Sequence, residues 1–434
     1  MTGFGALALY MCASRLMTPL APWILNRRIR HGKEDPARIA ERLGRPGKDR
    51  PDGRLVWLHG ASVGEGLTML PLIDAIRVTA PDVGILVTTG TVTSARRMAE
   101  LLPEGCLHQY APVDTWGAVR GFLDHWRPDL AIWIESEFWP RLMHETARRG
   151  TPMALVNARM SARSARSWRH VRGMARWLLD LFSLVIAQDD ETIDRLRALG
   201  ANPGKLEGGG NLKVAIEPPG CNADMLDAAR GVIAGRPVWL AASTHAPEEE
   251  IAAEAHRMAM ASLPGLMTIL APRHPARGDR IEELLRGYGL NVARRSTGRE
   301  PNAETDVWLA DTLGEMGLWF RLAPVAFIGG SIAPMGGHNP FEPAALGSVI
   351  MIGPEVANFA PAYAALERED GVIRVTGATE IAATLTELLS TENGTRRRKV
   401  LSDNARAVRD RSMPDVGALA EQLLRLVKDG RGAP

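Results

Sequence analysis

The stretch "VWLHGASVGEG", residues 56–66, passes from a mostly apolar run into three glycines set around one carboxylate, Glu65. The next segment, "LTMLPLIDAIR" (67–77), has its apolar residues at the spacing of an amphipathic helix. This reads as a buried strand, a flexible glycine turn and a helix. The same succession recurs along the chain. Apolar runs at 55–59, 84–89, 106–112, 130–135, 152–157 and 184–188 read as strands, with helical patterns between them. Strands that alternate with helices imply a parallel sheet joined by right-handed crossovers. A Gly- and Pro-rich segment, "GGGNLKVAIEPPGCN" (208–222), interrupts the pattern. It resumes with strands at 237–243, 266–272, 290–295, 306–311, 325–331, 349–354 and 371–377. A chain of 434 residues exceeds what one hydrophobic core usually serves, so the expectation is two doubly wound α/β domains. The boundaries read as an N-terminal segment 1–33, a first domain 34–211, a linker 212–222 and a second domain 223–434 with returning C-terminal helices.

Net charge is only +2 and hydrophobic content 45%, ordinary values for a globular protein, so bulk electrostatics suggest no nucleic-acid partner. Cys12, Cys106 and Cys221 are widely spaced and form no CxxC, which argues against a disulfide framework. There is no HExxH and no Cys/His cluster, and neither a metal nor another cofactor is expected. Residues 3–25 carry one charge, Arg15, and are followed by "NRRIRHGK" with Arg27, Arg28 and Arg30. Arg15, Pro19 and Pro22 interrupt the apolar run, which makes it a marginal membrane span. The segment reads as a membrane anchor or interfacial helix whose basic cluster meets anionic headgroups, with a merely buried helix as the alternative.

Open α/β sheets bind ligands beyond the carboxyl ends of their strands. The unusual residues fall there: Glu65 after the first strand, Glu135 after "AIWI", Arg273 after "LMTILAP", and "GGSIAPMGGHNPFE" after "VAFI". Glu65 fits two roles, a cap favoured by the helix dipole or a general base. Glu135 and Glu137 alternate if their strand continues, so one faces a ligand while the other caps the next helix. Only six of the 52 basic residues are lysines, and Lys213 stands beside a triple glycine where a point cation could meet a phosphate. Arg273 sits where a phosphate clamp belongs, with His274 beside it. "HNPFEPAALG" reads as a short helix begun by Asn339, with Pro340 at its first position and Glu342 in its first turn. Its N-terminus could receive phosphate oxygens, and Glu342 could accept hydrogen bonds from a ribose. The rivals are a lipid-linked UDP-sugar transferase, a non-catalytic, membrane-attached nucleotide-binding scaffold and an NAD-dependent oxidoreductase. The missing GxGxxG, and the missing ribose-binding acid about 20 residues beyond it, count against the oxidoreductase.

Seven motifs, in this order, resemble the bacterial 3-deoxy-D-manno-octulosonic acid (Kdo) transferases: "HGASVGEG", "APVDTWGAVRGFLDHWRPDLAIWIESEFWP", "NARMSARSARSW", "ASTHAPEEE", "LAPRHP", "DTLGEMG" and "GGSIAPMGGHNPFEPAALG". The resemblance spans residues 1 to about 410. It implies a GT-B glycosyltransferase with two Rossmann-like domains facing a central cleft. The implied donor is CMP-Kdo, and the implied acceptor is a lipid A precursor at the cytoplasmic face of the inner membrane. Transfer would invert the anomeric centre without a metal. The resemblance further implies Glu65 as general base and Glu135 and Lys213 as transition-state stabilisers. It implies CMP contacts from Pro272, Arg273, Leu313, Gly314, Glu315, Asn339, Pro340, Phe341 and Glu342. "GGGNLKVAI" lacks the Phe-Asp that often follows this lysine, and "TTGTVTS" is a variant of a Thr-rich acceptor-side loop.

Overall fold

The computed structural model describes residues 3–136 and 138–427. It divides into two compact units, Met1–Ile216 with Met413–Pro434, and Glu217–Ser412. The first unit is built on β1 (Leu55–His59), β2 (Gly84–Thr89), β3 (Leu107–Tyr110), β4 (Leu130–Ile134), β5 (Met153–Ala158), β6 (Leu184–Ala187) and β7 (Leu206–Gly208). These form one parallel sheet in the order β3-β2-β1-β4-β5-β6-β7. All five residues of β1 are buried. Leu55 and Trp57 pack into the core on one face with Phe122 and Trp133, while Val56 and Leu58 pack on the other with Met69 and Leu72. A strand covered on both faces has to be apolar on both, which is why "LVWL" shows no alternation.

The second unit holds β8 (Val238–Thr244), β9 (Met267–Pro272), β10 (Val292–Arg294), β11 (Val307–Leu309), β12 (Val325–Ile328), β13 (Val349–Ile352) and β14 (Val372–Arg374). They make a second parallel sheet in the order β10-β11-β9-β8-β12-β13-β14. In each sheet the strand order reverses beside the first strand, between β1 and β4 and between β8 and β12. Loops leave in opposite directions at such a point, and the space they open is where doubly wound sheets bind ligands.

The expected strands are all present. The edge strand β7 was not expected, because "LEG" is too short to register as an apolar run. Two boundaries differ from the sequence reading. The segment assigned to a linker begins inside the first unit, since Leu212 and Val214 are buried and Leu212 joins the core of the first sheet. The C-terminal end of the expected second domain belongs to the first. After the helix Glu392–Arg411 the chain returns, and the helix Val416–Leu424 buries Leu419, Ala420 and Leu423 against the core that also holds Met69, Leu72 and Ile73.

The N-terminal apolar segment is two helices, Gly3–Leu16 and Ala21–Arg30, separated by a single 3-10 turn at Thr18–Leu20. Pro19 and Pro22 lie at that break, where a missing backbone N–H ends a continuous helix. Among the described residues no helix is long and apolar enough to cross a membrane. The segment is docked on the first unit. Tyr10 donates to Asp114 at 2.6 Å, and Arg141 donates to Ser14 Oγ at 2.9 Å and to the Met11 carbonyl at 2.5 Å.

Candidate active site

Glu65 lies at the point where the first sheet reverses, in the opening turn of the helix Val63–Thr79. Ser62 is the N-cap, and its hydroxyl accepts from the Glu65 amide at 3.3 Å. Glu65 Oε2 accepts in return from the amides of Ala61 and Ser62, the latter at 3.2 Å. This reciprocal box satisfies amides that a helix start leaves without intrahelical partners. The residue is 8% exposed. The glycines do not form the flexible turn that their clustering suggests, since Gly64 and Gly66 are already helical. Gly60 is required by packing: a Cβ there would stand 2.4 Å from Met69 Cε and 2.8 Å from Glu65 Cβ. At Gly66 a Cβ would meet Met98 at 3.0 Å, whereas at Gly64 it would find only Ser62 Oγ at 4.0 Å. Two of the three glycines therefore serve the fit of loop and helix, and Gly64 alone borders open space.

Across the reversal, β4 ends at Ile134 and Glu135 takes φ +62°. A side chain in this left-handed region is strained, and such strain concentrates at functional positions. The strand therefore stops short of the Glu135–Glu137 alternation that the sequence suggested; Glu137 itself lies outside the described residues. Glu135 Oε1 stands 2.5 Å from Lys213 Nζ. The structure thus joins two residues that are 78 positions apart and that the sequence offered separately. The neighbouring strand explains the position of the lysine. Asn157, in β5, is fully buried with φ +55°, and its Oδ1 accepts from the Leu212 amide at 3.0 Å. Asn211 then caps the short turn Leu212–Val214 by accepting from the Lys213 amide at 3.0 Å. Sequence reading did not single out Asn157, whose only signal is a polar residue ending an apolar run.

The second unit gathers its candidates along the carboxyl edge of its own sheet. Pro272 ends β9, and Arg273 follows, exposed, with its amide donating to the Thr244 carbonyl at 3.0 Å. Beside it stand three imidazoles that the sequence reading undervalued. The His245 ring lies 5.8 Å from that of His274, and it stacks on His338 at 5.5 Å with Nε2 atoms 3.2 Å apart. Burial, then the neighbouring His245 and Arg273, bring the His338 pKa down to about 4. His245 is also lowered, chiefly by burial, against the pull of Glu248. The Nε2–Nε2 contact uses one N–H of this pair, which leaves Arg273 and one imidazole N–H as donors suited to an oxyanion.

The amides of the loop after β12 are taken by a side chain of the same unit. Glu248 is fully buried and accepts from the amides of Gly330 at 2.8 Å, Ser331 at 3.0 Å, Ile332 at 3.0 Å and Ala333 at 3.1 Å. It also accepts from the His245 amide at 3.0 Å. An internal carboxylate fills the anion nest, and in doing so it fixes the loop beside His338. The helix Phe341–Leu346 starts one residue later than expected, with Pro340 as N-cap, and Asn339 Oδ1 accepts from the Phe341 amide at 3.1 Å. Glu342 meets Asn339 Nδ2 at 3.3 Å, and burial raises its carboxyl pKa. Leu313 is exposed and Gly314 has φ +85°, but the Glu315 side chain is committed to Arg295 at 2.8 Å and to the Thr312 hydroxyl. Burial would raise that carboxyl; the bonds from Arg295 and Thr312 outweigh it and hold it below the usual range.

Residues 37–216 match the family described as 3-deoxy-D-manno-octulosonic-acid transferase (kdotransferase). The chain is 34% identical over 363 residues to the 3-deoxy-D-manno-octulosonic acid transferase of Haemophilus influenzae, covering 83% of this chain and 85% of that protein. It is 35% identical over 387 residues to the enzyme of the same name from Rickettsia bellii, covering 89% and 91%. In fold it is similar to a glycosyltransferase from Rickettsia africae, with a TM-score of 0.59 at 10% identity, over 88% of this chain and all of that one. That likeness identifies the two parallel-sheet units as the GT-B fold. The chain belongs to the 3-deoxy-D-manno-octulosonic acid transferase family of glycosyltransferases.

Proposed function

We propose that the chain transfers Kdo from CMP-Kdo to a hydroxyl of a lipid A precursor, inverting the anomeric centre and using no metal. In the reaction the acceptor oxygen bonds to the anomeric carbon as the bond from that carbon to the phosphate oxygen breaks. CMP leaves with the electron pair, and the hydroxyl proton passes to Glu65. The bonds from Ala61 and Ser62 fix the Glu65 carboxylate and leave its orientation little freedom. Negative charge grows on one phosphate as the donor bond breaks. Arg273 supplies charged donors to absorb it, together with one imidazole N–H of the His245–His338 pair and the backbone amides of Leu313, Gly314 and Asn339. In the first unit Lys213 keeps its ammonium beside the Glu135 carboxylate, at the same sheet reversal as the base.

The single observation that most supports this reading is the Glu135–Lys213 pair, which unites two family positions at the same sheet reversal as Glu65. We place the enzyme at the cytoplasmic face of the inner membrane. Leu16 is 74% and Trp23 65% exposed on the N-terminal helices, beside the exposed Arg27 and Arg30. Apolar side chains next to basic ones suit a helix lying in the headgroup layer. A Glu65→Gln variant tests the chemistry, because the amide keeps the shape of the side chain but takes no proton. Its transfer rate should fall by about 10²–10⁴, the usual loss with one general base. CMP binding, measured by calorimetry, should persist. Mass spectrometry of the product should show Kdo added by the unaltered chain only, and near-normal turnover by the variant would remove Glu65 from the mechanism.

A further inference from the structure

The first unit contains a cavity of about 490 Å³ between its two N-terminal helices and the carboxyl edge of its sheet. That is within the size range of ligand sites. Its walls are carbon-rich. Ala13, Ile24 and Leu25 come from the helices, Met17 from the turn between them, and Val113 and Trp139 from the loops beyond the sheet. Most polar groups on its lining are already committed within the protein; Thr115 Oγ1 and Arg42 Nε make no hydrogen bond, but both atoms are themselves buried. Asp114 accepts from Tyr10 at 2.6 Å and from the amides of Arg141 at 3.0 Å and Leu142 at 2.7 Å. Arg28 and Arg42 both pair with Glu34, at 2.7 and 3.3 Å. An incoming molecule would therefore meet little unsatisfied polarity, which favours an apolar occupant over a peptide or a sugar, both of which need partners for their own polar groups.

Two further observations say which apolar occupant. At one end the cavity reaches Ala61, Gly90 and Thr91, in the loops that leave β1 and β2. Ala61 donates its amide to Glu65, so this end adjoins the proposed base. The helices that wall the cavity, and the turn between them, also carry the exposed Leu9, Leu16, Leu20 and Trp23. A molecule partly embedded in a lipid surface would meet those side chains and the cavity on the same pair of helices. We propose that the cavity takes one acyl chain of the lipid acceptor and so sets the acceptor headgroup against the Ala61–Glu65 loop. This rests on the proposed lipid acceptor, and the test separates the two.

Ala13 is exposed on its helix and points no group into the core, so Ala13→Trp should fill the cavity without unfolding the chain. Met17→Asp places a charge in the same space by a different route. Binding of cis-parinaric acid to the full chain, read by its fluorescence, reports acyl occupancy without any transfer. The unaltered chain should bind it and both variants should lose it. In transfer assays both variants should raise the KM for acylated acceptor roughly tenfold or more, as expected when an apolar pocket loses several methylenes of contact. The KM for CMP-Kdo should stay unchanged, as should the melting temperature. Parinaric acid bound equally by all three proteins, or an acceptor KM untouched in both folded variants, overturns the proposal. If the unaltered chain binds the probe, both variants lose it, and no lipid acceptor is glycosylated, the acyl site stands and the acceptor assignment falls.

Discussion

Glu135 carries two properties that can be separated by experiment, a carboxylate held against Lys213 and a backbone held at φ +62°. Left-handed backbone costs a residue with a Cβ about 1–2 kcal/mol, and glycine almost nothing. Glu135→Ala and Glu135→Gly both remove the carboxylate, but only the alanine keeps the strain. The glycine variant should therefore unfold at higher denaturant than the alanine variant, by about 1 kcal/mol once glycine's extra unfolded-state entropy is subtracted. Both should be equally slow in transfer. Equal stability of the two variants would mean that the strain is relaxed elsewhere, and a faster glycine variant would divorce the carboxylate from the chemistry. At this scale the sequence was legible where a residue follows its own strand, as Glu65, Glu135 and Arg273 do. It was not legible where the partner comes from a distant part of the chain. Nothing near Asn157 announces Leu212, and nothing in "HAPEEE" shows that Glu248 rather than its neighbours fills the amides of residues 330–333.

The elements were read more fully than their junctions, for a physical reason. A strand buried on both faces must be apolar along its length, so β1, β4, β8 and β12 stand out as runs. A junction is set by contacts that pattern does not encode. The N-terminal helices show this: their composition suggests a separate anchor, yet Tyr10, Ser14 and the Met11 carbonyl tie the first of them to Asp114 and Arg141. Asp114 is a buried carboxyl, its pKa raised by burial against the bonds it accepts from Tyr10, Arg141 and Leu142. Removing the tyrosine hydroxyl leaves that group one donor short. Tyr10→Phe should lower stability by about 1.5–3 kcal/mol if Asp114 is ionised, the range for a hydrogen bond to a charged group. Deletion of residues 1–26 should cost more, since it also strips Arg141 of two acceptors. Chemical denaturation followed by tryptophan fluorescence would measure both. A Tyr10→Phe midpoint equal to that of the unaltered chain would make the helix a loosely attached appendage after all.

For the molecule as a whole, the chain path decides which residues share a fold. The proposed base, Glu65, and the proposed nucleotide contacts around Arg273 lie in different units, and the C-terminal segment belongs to the unit that holds the base. The helix Val416–Leu424 follows the whole second unit in sequence, but it buries Leu419, Ala420 and Leu423 in the core that also holds Met69, Leu72, Ile73 and Ile76. Those four are buried residues of the Val63–Thr79 helix, whose first turn holds Glu65. Ending the chain at Ser412 should therefore damage the unit from which residues 413–434 are farthest in sequence. The truncated protein should keep CMP binding through Arg273 and its neighbours while losing transfer. Leu423→Ala is the milder form of the same perturbation. As a fully buried leucine cut to alanine, it should cost about 2–5 kcal/mol, with the spread set by how far the site can collapse. Two unfolding steps followed by calorimetry, with and without CMP, would locate the damage: CMP should raise the midpoint of one step, and Leu423→Ala should lower the other. If the mutation lowers the step that CMP raises, the C-terminal helix is supporting the nucleotide-binding unit instead.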